Sequence, residues 1–274
     1  MSVVSKFTFN INQDQISNYA KEQLLPRVLF VGTLFALWYG LTYTLTPRLP
    51  TPMSVGSEAM TILVEGDFIY HMSNTFRRVF ISFFFIWIAS IAIGLVMGLS
   101  TFGENYFDMG IVVGLTVPGI ALSVIGVMLF GLSEIAAHVI IFSAAVPLVT
   151  LSFWEGVKDI DVGLIHMSRA FDFSRTKIVK SVVLPQLIPH MLSAGRLGLS
   201  ISWKVCVIVE FLGFGNGIGY MLTLEYSRFN MEAVLAWTAL FTMIMLVIEY
   251  AGFKSFERRY LDWRESVEIQ GGIA

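Results

Sequence analysis

Charged and imidazole side chains are scarce in this chain, so those standing inside or between its apolar runs mark where chemistry is possible. The densest group lies in KDIDVGLIHMSRAFDFSRTKIVKSVVLPQLIPHMLSAGRL, residues 158–197. It holds Lys158, Arg169, Arg175, Lys177, Lys180 and Arg196, interleaved with Asp159, Asp161, Asp172, His166 and His190. No nucleophile, base and orienting group converge in this pattern, so an enzyme is not expected. The four His, at 71, 138, 166 and 190, show no ligand spacing and have no Cys nearby, so no metal site is expected either. A phosphate-cradling Gly-x-x-x-x-Gly-Lys-Ser/Thr loop is missing from the sequence. The Gly-rich GFGNGIGY at 213–220 lacks a Lys and reads as a helix terminus or re-entrant bend. No basic stripe with interleaved aromatics suggests nucleic acid. What the 158–197 segment suits is contact, through polar and basic faces beside an apolar stripe of Ile165, Phe171, Ile178, Val182 and Leu184.

Two further charges, Lys204 and Glu210, stand inside an apolar run. Their spacing turns them about 240° apart on a helix, so they do not share a face, whereas Trp203 and Glu210 do. A charge inside a membrane faces protein or water. Lys204 attracts an anionic solute, snorkels to headgroups or pairs structurally. Glu210 reads as an interhelical anchor or a gate hinge. The single cysteine, Cys206, excludes an internal disulfide and reads as a small buried filler.

The elements that must position these groups follow from composition. The chain has 274 residues, 55% hydrophobic and 14% charged, with 23 Phe. Its mean hydropathy is +0.72. A soluble domain carries about 25% charged residues, so lipid is the solvent that this much apolar surface requires. A spanning helix needs about 20 mostly apolar residues and satisfies its own backbone. Six runs qualify: 28–47, 79–103, 109–133, 135–154, 197–212 with a possible extension to Leu222, and 233–253. None alternates polar and apolar residues as a barrel strand does. Gly94 and Gly98, four apart, form a helix-packing seam. Pro118-Gly119 either breaks the third run or kinks it.

Orientation follows from Lys and Arg near span ends. With an even number of spans the two termini share one side. That side holds Lys6, Lys21, Arg27, the six basic residues of 158–197, Lys254, Arg258, Arg259 and Arg264. The other holds Arg48, Arg77, Arg78 and Arg228. Both termini and the 158–197 excursion are therefore expected in the cytoplasm. The first residues are mixed polar and resemble no secretory leader. Residues 57–76 suit a surface amphipathic helix, residues 100–108 a short link, and Gly131–Glu134 a turn. In the excursion, 161–171 and 174–183 read as two short helices, with Ser174 as N-cap and Pro185 stopping or kinking the second.

The stretch FDFSRTKIVKSVVLPQLIPHMLSAGRLGLSISWKVCVIVE resembles the cytoplasmic loop and following span of permeases of binding-protein-dependent ABC importers, nearest the taurine, alkanesulfonate and nitrate branch. That family carries Glu-Ala-Ala, then a Gly, then a Leu-Pro pair. Leu184-Pro185 supplies the pair, Asp172 stands at the Gly position, and His166-Met167-Ser168 replaces Glu-Ala-Ala, with Arg169 matching a common basic residue. LPTP at 49–52, NTFRRVFISFFFIWIASIAIGLVMGLS, VPGIALSVIGVMLFGLSE, Trp203, Glu210 and GIGYML extend the resemblance over roughly residues 30–265.

The resemblance implies an all-α polytopic membrane protein with six transmembrane helices, of the type I ABC importer permease kind. It divides the chain into a cytoplasmic segment 1–27, a permease domain 28–253 with its coupling loop at 155–197, and a cytoplasmic tail 254–274. It implies a bacterial inner-membrane permease that forms the pathway for a small, anionic solute. Asp161, His166, Arg169, Phe171, Asp172, Arg175, Leu184 and Pro185 would face the ATPase, and Pro118, Trp203, Lys204 and Glu210 the pathway or gate. Implied partners are a second permease chain in a homodimer or heterodimer, two ABC ATPase subunits that bind the ATP and Mg, an extracytoplasmic solute-binding protein and the lipid bilayer. This chain would bind no cofactor. A secondary carrier or a non-transporting scaffold are the alternatives. The loss of Glu-Ala-Ala marks a diverged coupling motif.

Overall fold

The structure is a computed structural model, which describes residues 25–44 and 49–253. These are helical apart from short connections and fall into two units that meet at Glu58. The first contains α1 (Leu25–Thr44), an uncharged run after Arg27, and the start of α2 (Pro52–Glu65). In it, the Trp38 indole donates to the Pro50 carbonyl at 3.0 Å, and Thr51 starts α2 by accepting from Ser54 N.

The second unit is a helical bundle: α3 (Phe68–Leu99), α4 (Thr101–Thr116), α5 (Gly119–Phe130), α6 (Glu134–Lys158), α7 (Val162–Ala170), α8 (Arg175–Ile178), α9 (Leu184–Phe211), α10 (Ile218–Ser227) and α11 (Met231–Val247). Half of the most apolar window of α6 and of the helix ending in α9 is buried, against 28% for α3 and 22% for the last helix, so α6 and α9 form the centre. Val79 and Ile86 of α3, Ile141 and Val149 of α6, and Cys206 and Val209 of α9 make the core. The outward faces of α3 carry Phe84, Phe85 and Ile88, the surface that lipid requires.

Small residues set the closest approaches. A Cβ on Gly94 would lie 2.8 Å from Phe153 Cδ1, and one on Gly98 would enter the Val157 side chain, so α3 and α6 touch through their backbones here. Gly114 of α4 makes the same room for Pro147 of α6.

The structure moves two boundaries that the sequence suggests, and at Pro118 it takes the break that is one of the two alternatives. The expected link 100–108 reduces to Ser100, whose hydroxyl accepts from Gly103 N at 3.2 Å and caps α4. The third apolar run is not one rod: α4 and α5 bend by 98° at Val117-Pro118, where both residues are extended. Proline disfavours the helical conformation of the residue before it, which ends α4 there. Pro185 does not stop its helix. A π-helical turn, Val179–Val183, joins α8 to α9, and Leu184 N reaches back to Val179 O. The widened turn passes the prolines, so Arg175–Phe211 runs 37 residues without a break. The fifth apolar run is thus the C-terminal part of a helix that begins well before Leu197, and that helix ends at Phe211. Gly217 then starts α10, a separate helix rather than an extension. A second π turn, Ile248–Phe253, ends the last helix.

By length and composition five described helices can cross a bilayer: Leu25–Thr44, Phe68–Leu99, Glu134–Lys158, Arg175–Phe211 and Met231–Phe253. The bent pair α4–α5 is a sixth candidate.

Candidate functional site

The helical run Arg175–Phe211 carries a site at each end. At its N-terminal end is the knob formed by α7 and α8. Asp161 caps α7, its Oδ1 accepting from Gly163 N at 2.7 Å and Leu164 N at 3.4 Å. The Asp161 backbone N–H donates to Gln186 Oε1 at 2.8 Å, which ties the knob to the first turn of α9. The exit of α7 is a Schellman turn: Phe173 N bonds to Ser168 O and Asp172 N to Arg169 O, with Asp172 in the left-handed region at φ 57°. A glycine fits that position without strain, and Asp tolerates it better than most residues. Ser174 then caps α8, accepting from Lys177 N at 3.4 Å.

The knob leaves His166, Arg169, Phe171 and Arg175 exposed, with Phe171 71% accessible. Leu184 and Pro185 are exposed too, whereas Ile178 of the expected apolar stripe is buried. The knob thus presents an open aromatic ring among cations. Lys158 at the base pairs with Glu104 of α4 at 2.7 Å and lies 4.2 Å from the Trp154 ring centre, fixing the knob's other arm.

At the C-terminal end of the run Glu210 is fully buried. Its carboxylate accepts from Arg78 Nη1 at 2.7 Å, from Thr75 Oγ1 at 2.9 Å and from Gly219 N at 3.0 Å. Arg78, 1% exposed, has every N–H engaged. Nε and Nη2 form a fork on Glu134 at 3.1 and 2.7 Å. Nη1 also reaches Asn216 O at 3.2 Å, and Nη2 reaches Asn216 Oδ1 at 2.5 Å. Arg77 adds a second cation 3.2 Å from Glu134, and the Phe214 ring covers the Arg78 guanidinium. The Thr75 hydroxyl also accepts from Ile218 N, and His71 Nδ1 from Gly217 N, so the whole 212–218 turn is held against α3. Gly217 lies at φ 107° with its α-carbon against the Glu210 carboxylate, a place where any side chain would both strain the backbone and collide. Nearby, His138 Nδ1 lies 2.8 Å from Ser82 Oγ.

Trp203 and Glu210 are both buried, Trp203 edge-on to Phe76, Phe80 and Phe241. Lys204 stands apart from them, exposed, and among the described residues has no ion pair or hydrogen bond. Because α9 begins at Leu184, Lys204 is not early in its helix: it lies about 30 Å along from that start. The structure gathers Asp161, Arg169, Phe171, Asp172 and Arg175 on one knob and separates them from Trp203, Lys204 and Glu210; Pro118 sits at the α4–α5 break.

Sequence reading missed the partners of Glu210. The signal was available in principle: a buried carboxylate needs a cation, and Arg78 opens the uncharged part of α3. What could not be read was that residues 132 positions apart meet.

Among the described residues no cluster of His, Cys, Asp and Glu could hold a metal ion. Residues 60–260 match the family described as binding-protein-dependent transport system inner membrane component. SsuC of Bacillus subtilis (strain 168), named for aliphatic sulfonates transport, is 27% identical over 255 residues, covering 91% of this chain and 90% of its own. The taurine transport system permease protein TauC of Escherichia coli (strain K12) is 27% identical over 251 residues, 88% and 91% of the two chains. Among solved structures, an inward-facing conformation of the MetNI methionine ABC transporter contains a chain similar in fold, with a TM-score of 0.61 at 19% identity over 70% of this chain and 95% of that one.

Proposed function

Because this chain belongs to the binding-protein-dependent transport system inner membrane component family, we propose that it crosses the membrane six times, with the bent pair α4–α5 as its third span and both termini in the cytoplasm. The chain is a permease subunit of an ABC importer, and ATP hydrolysis belongs to a partner subunit. In this orientation the knob of α7 and α8 faces the cytoplasm and receives the ATPase, while the Arg78–Glu210 cluster lies at the outer end of the bundle. A second permease chain, two ATPase subunits with ATP and Mg, and an external solute-binding protein complete the assembly. The transported solute is a small anion, as the names of SsuC and TauC suggest.

One observation carries this reading: a single helical run of 37 residues joins the knob to Glu210. At about 1.5 Å per residue it is roughly 55 Å long, against about 30 Å of hydrocarbon. It is therefore longer than the bilayer core, and its knob end projects on the cytoplasmic side. Nucleotide-driven closure of the ATPases displaces the knob, and the rod carries that displacement to the outer cluster. The π turn and Pro185 stand at the junction, where limited bending is possible. Two arrangements of such a bundle give alternating access.

The test is disulfide or bifunctional cross-linking from Phe171→Cys and Arg175→Cys to the ATPase subunit that co-purifies with this chain. Cross-links from these sites, and none from Phe229→Cys at the far end, support the coupling role. A knob that never cross-links, with solute-stimulated ATP hydrolysis intact, rules it out.

A further inference from the structure

A cleft of about 440 Å³ opens between α9 and the last helix, Met231–Phe253. It has three features that bear on a ligand. The first is its depth. Thr242, in one wall, stands midway between Met231 and Phe253, so the cleft reaches the middle of that span. Lys204, in the facing wall, lies about 10 Å from the end of α9 at Phe211 and further still from its start. A lysine at this depth is expensive in lipid and needs water, protein or an anion opposite it.

The second is charge. Arg196, Ser200 and Lys204 repeat every four residues, which puts them on one face of α9 toward the cleft. Arg196 is paired with Glu249 at 2.8 Å, so these two cancel. Lys204 has no such partner among the described residues, which leaves the cleft with one net positive charge. The Trp203 indole N–H, buried at the same level, also has no hydrogen-bond partner among the described residues. The third is the apolar wall. Phe241, Met245 and Leu246 supply a surface that an inorganic anion cannot use.

We propose that this cleft is an intramembrane station for an organic monoanion, one whose acidic group lies against Lys204 and whose hydrocarbon part lies on Phe241 and Met245. The inference rests on the permease reading above and narrows its solute class. A volume of this size is ordinary for a small-molecule site and far exceeds a bare oxyanion such as nitrate. A single cation in low dielectric attracts an anion more strongly than it would in water. The apolar wall then adds affinity with each methylene it covers, about 0.8 kcal/mol when the group is fully buried. Affinity should therefore rise along an alkanesulfonate series. The Arg196–Glu249 pair closes the lower end of the cleft without adding net charge. Release toward that end would move the anion off Lys204 and past a neutral pair.

The experiment uses the permease–ATPase complex in nanodiscs, without nucleotide, with Ser200→Cys as reporter. Cys206 is fully buried and does not compete. Labelling by N-ethylmaleimide is timed with methanesulfonate, 1-butanesulfonate or nitrate present. The expected result is at least about fivefold slowing by butanesulfonate, less by methanesulfonate and none by nitrate. Adding Lys204→Met should abolish the protection, and Lys204→Arg should preserve it. Protection that survives Lys204→Met, or that nitrate gives equally well, overturns the proposal. So does the lack of protection in a preparation that retains its ATPase, a result that leaves the permease reading standing. A chain that recovers no ATPase at all overturns both.

Discussion

Arg78 of α3 and Glu210 of α9 form an ion pair of 2.7 Å, with their side chains 1% and 0% exposed, across a separation of 132 residues. Neither charge could stay buried alone. The pair is completed by Glu134, Thr75, Asn216 and the Gly219 amide, so every Arg78 donor is used. Desolvation offsets much of what such a pair gains, and breaking it leaves the surviving charge uncompensated. The cluster joins α3, α6, α9 and the 212–218 turn at one end of the bundle.

The losses on removing the two partners should therefore not add. Arg78→Met or Glu210→Met alone is expected to destabilise the bundle by about 3–5 kcal/mol. The double variant should lose less than the two singles added together, because no orphan charge is left between them. Thermal unfolding of the protein in detergent measures this. Additive losses would show that the two side chains act independently.

Gly217 and Gly215 make a matched contrast. Gly217 has φ 107°, and a Cβ there would collide with the Glu210 carboxylate, whereas Gly215 has open space. Gly217→Ala should sharply reduce the folded protein recovered and the uptake it supports. Gly215→Ala should change stability by no more than about 0.5 kcal/mol. Equal effects at the two sites would mean that the turn is not held as described.

Asp172 tests the diverged coupling loop. At φ 57° it occupies the turn position where glycine is unstrained. Asp172→Gly should retain ATPase co-purification and stabilise the knob by up to about 1 kcal/mol. Asp172→Val, β-branched and intolerant of positive φ, should weaken ATPase recovery. If Val is as well accepted as Gly, the backbone conformation there does not govern docking.

Gly94 and Gly98 set the α3–α6 distance. Gly98→Val would drive a branched side chain into Val157 and is expected to cost about 1–3 kcal/mol, in line with other overpacked cores. Gly110→Ala, with nothing within 4 Å of its Cβ, is the control and should be neutral. The difference in melting temperature between these variants checks the seam.

Apolar length, local chain chemistry and charge distribution are written linearly, so much was legible from residues alone. The uncharged runs located the membrane-crossing elements because lipid gives the backbone no partner outside its own helix. Ser174 as a cap and Asp172 at a turn followed from what their side chains and backbones can do locally, and the family resemblance followed from ordered motifs. Helix ends near proline were harder. Pro118 broke its helix by 98°, while Pro185 was absorbed by a π turn, and nothing local to either residue distinguishes the two outcomes.

Tertiary structure alone decided which charges meet. Glu210 could be recognised as a buried acid in need of a partner, but Arg78 and Glu134 become that partner only when α3, α6 and α9 pack with their ends level. Lys204 was visible as a cation in an apolar run, yet its isolation and its place in the cleft depend on where α9 begins and which face the last helix covers. Burial and pairing are properties of distances between elements, and those distances are set by close packing of the bundle rather than by spacing along the chain.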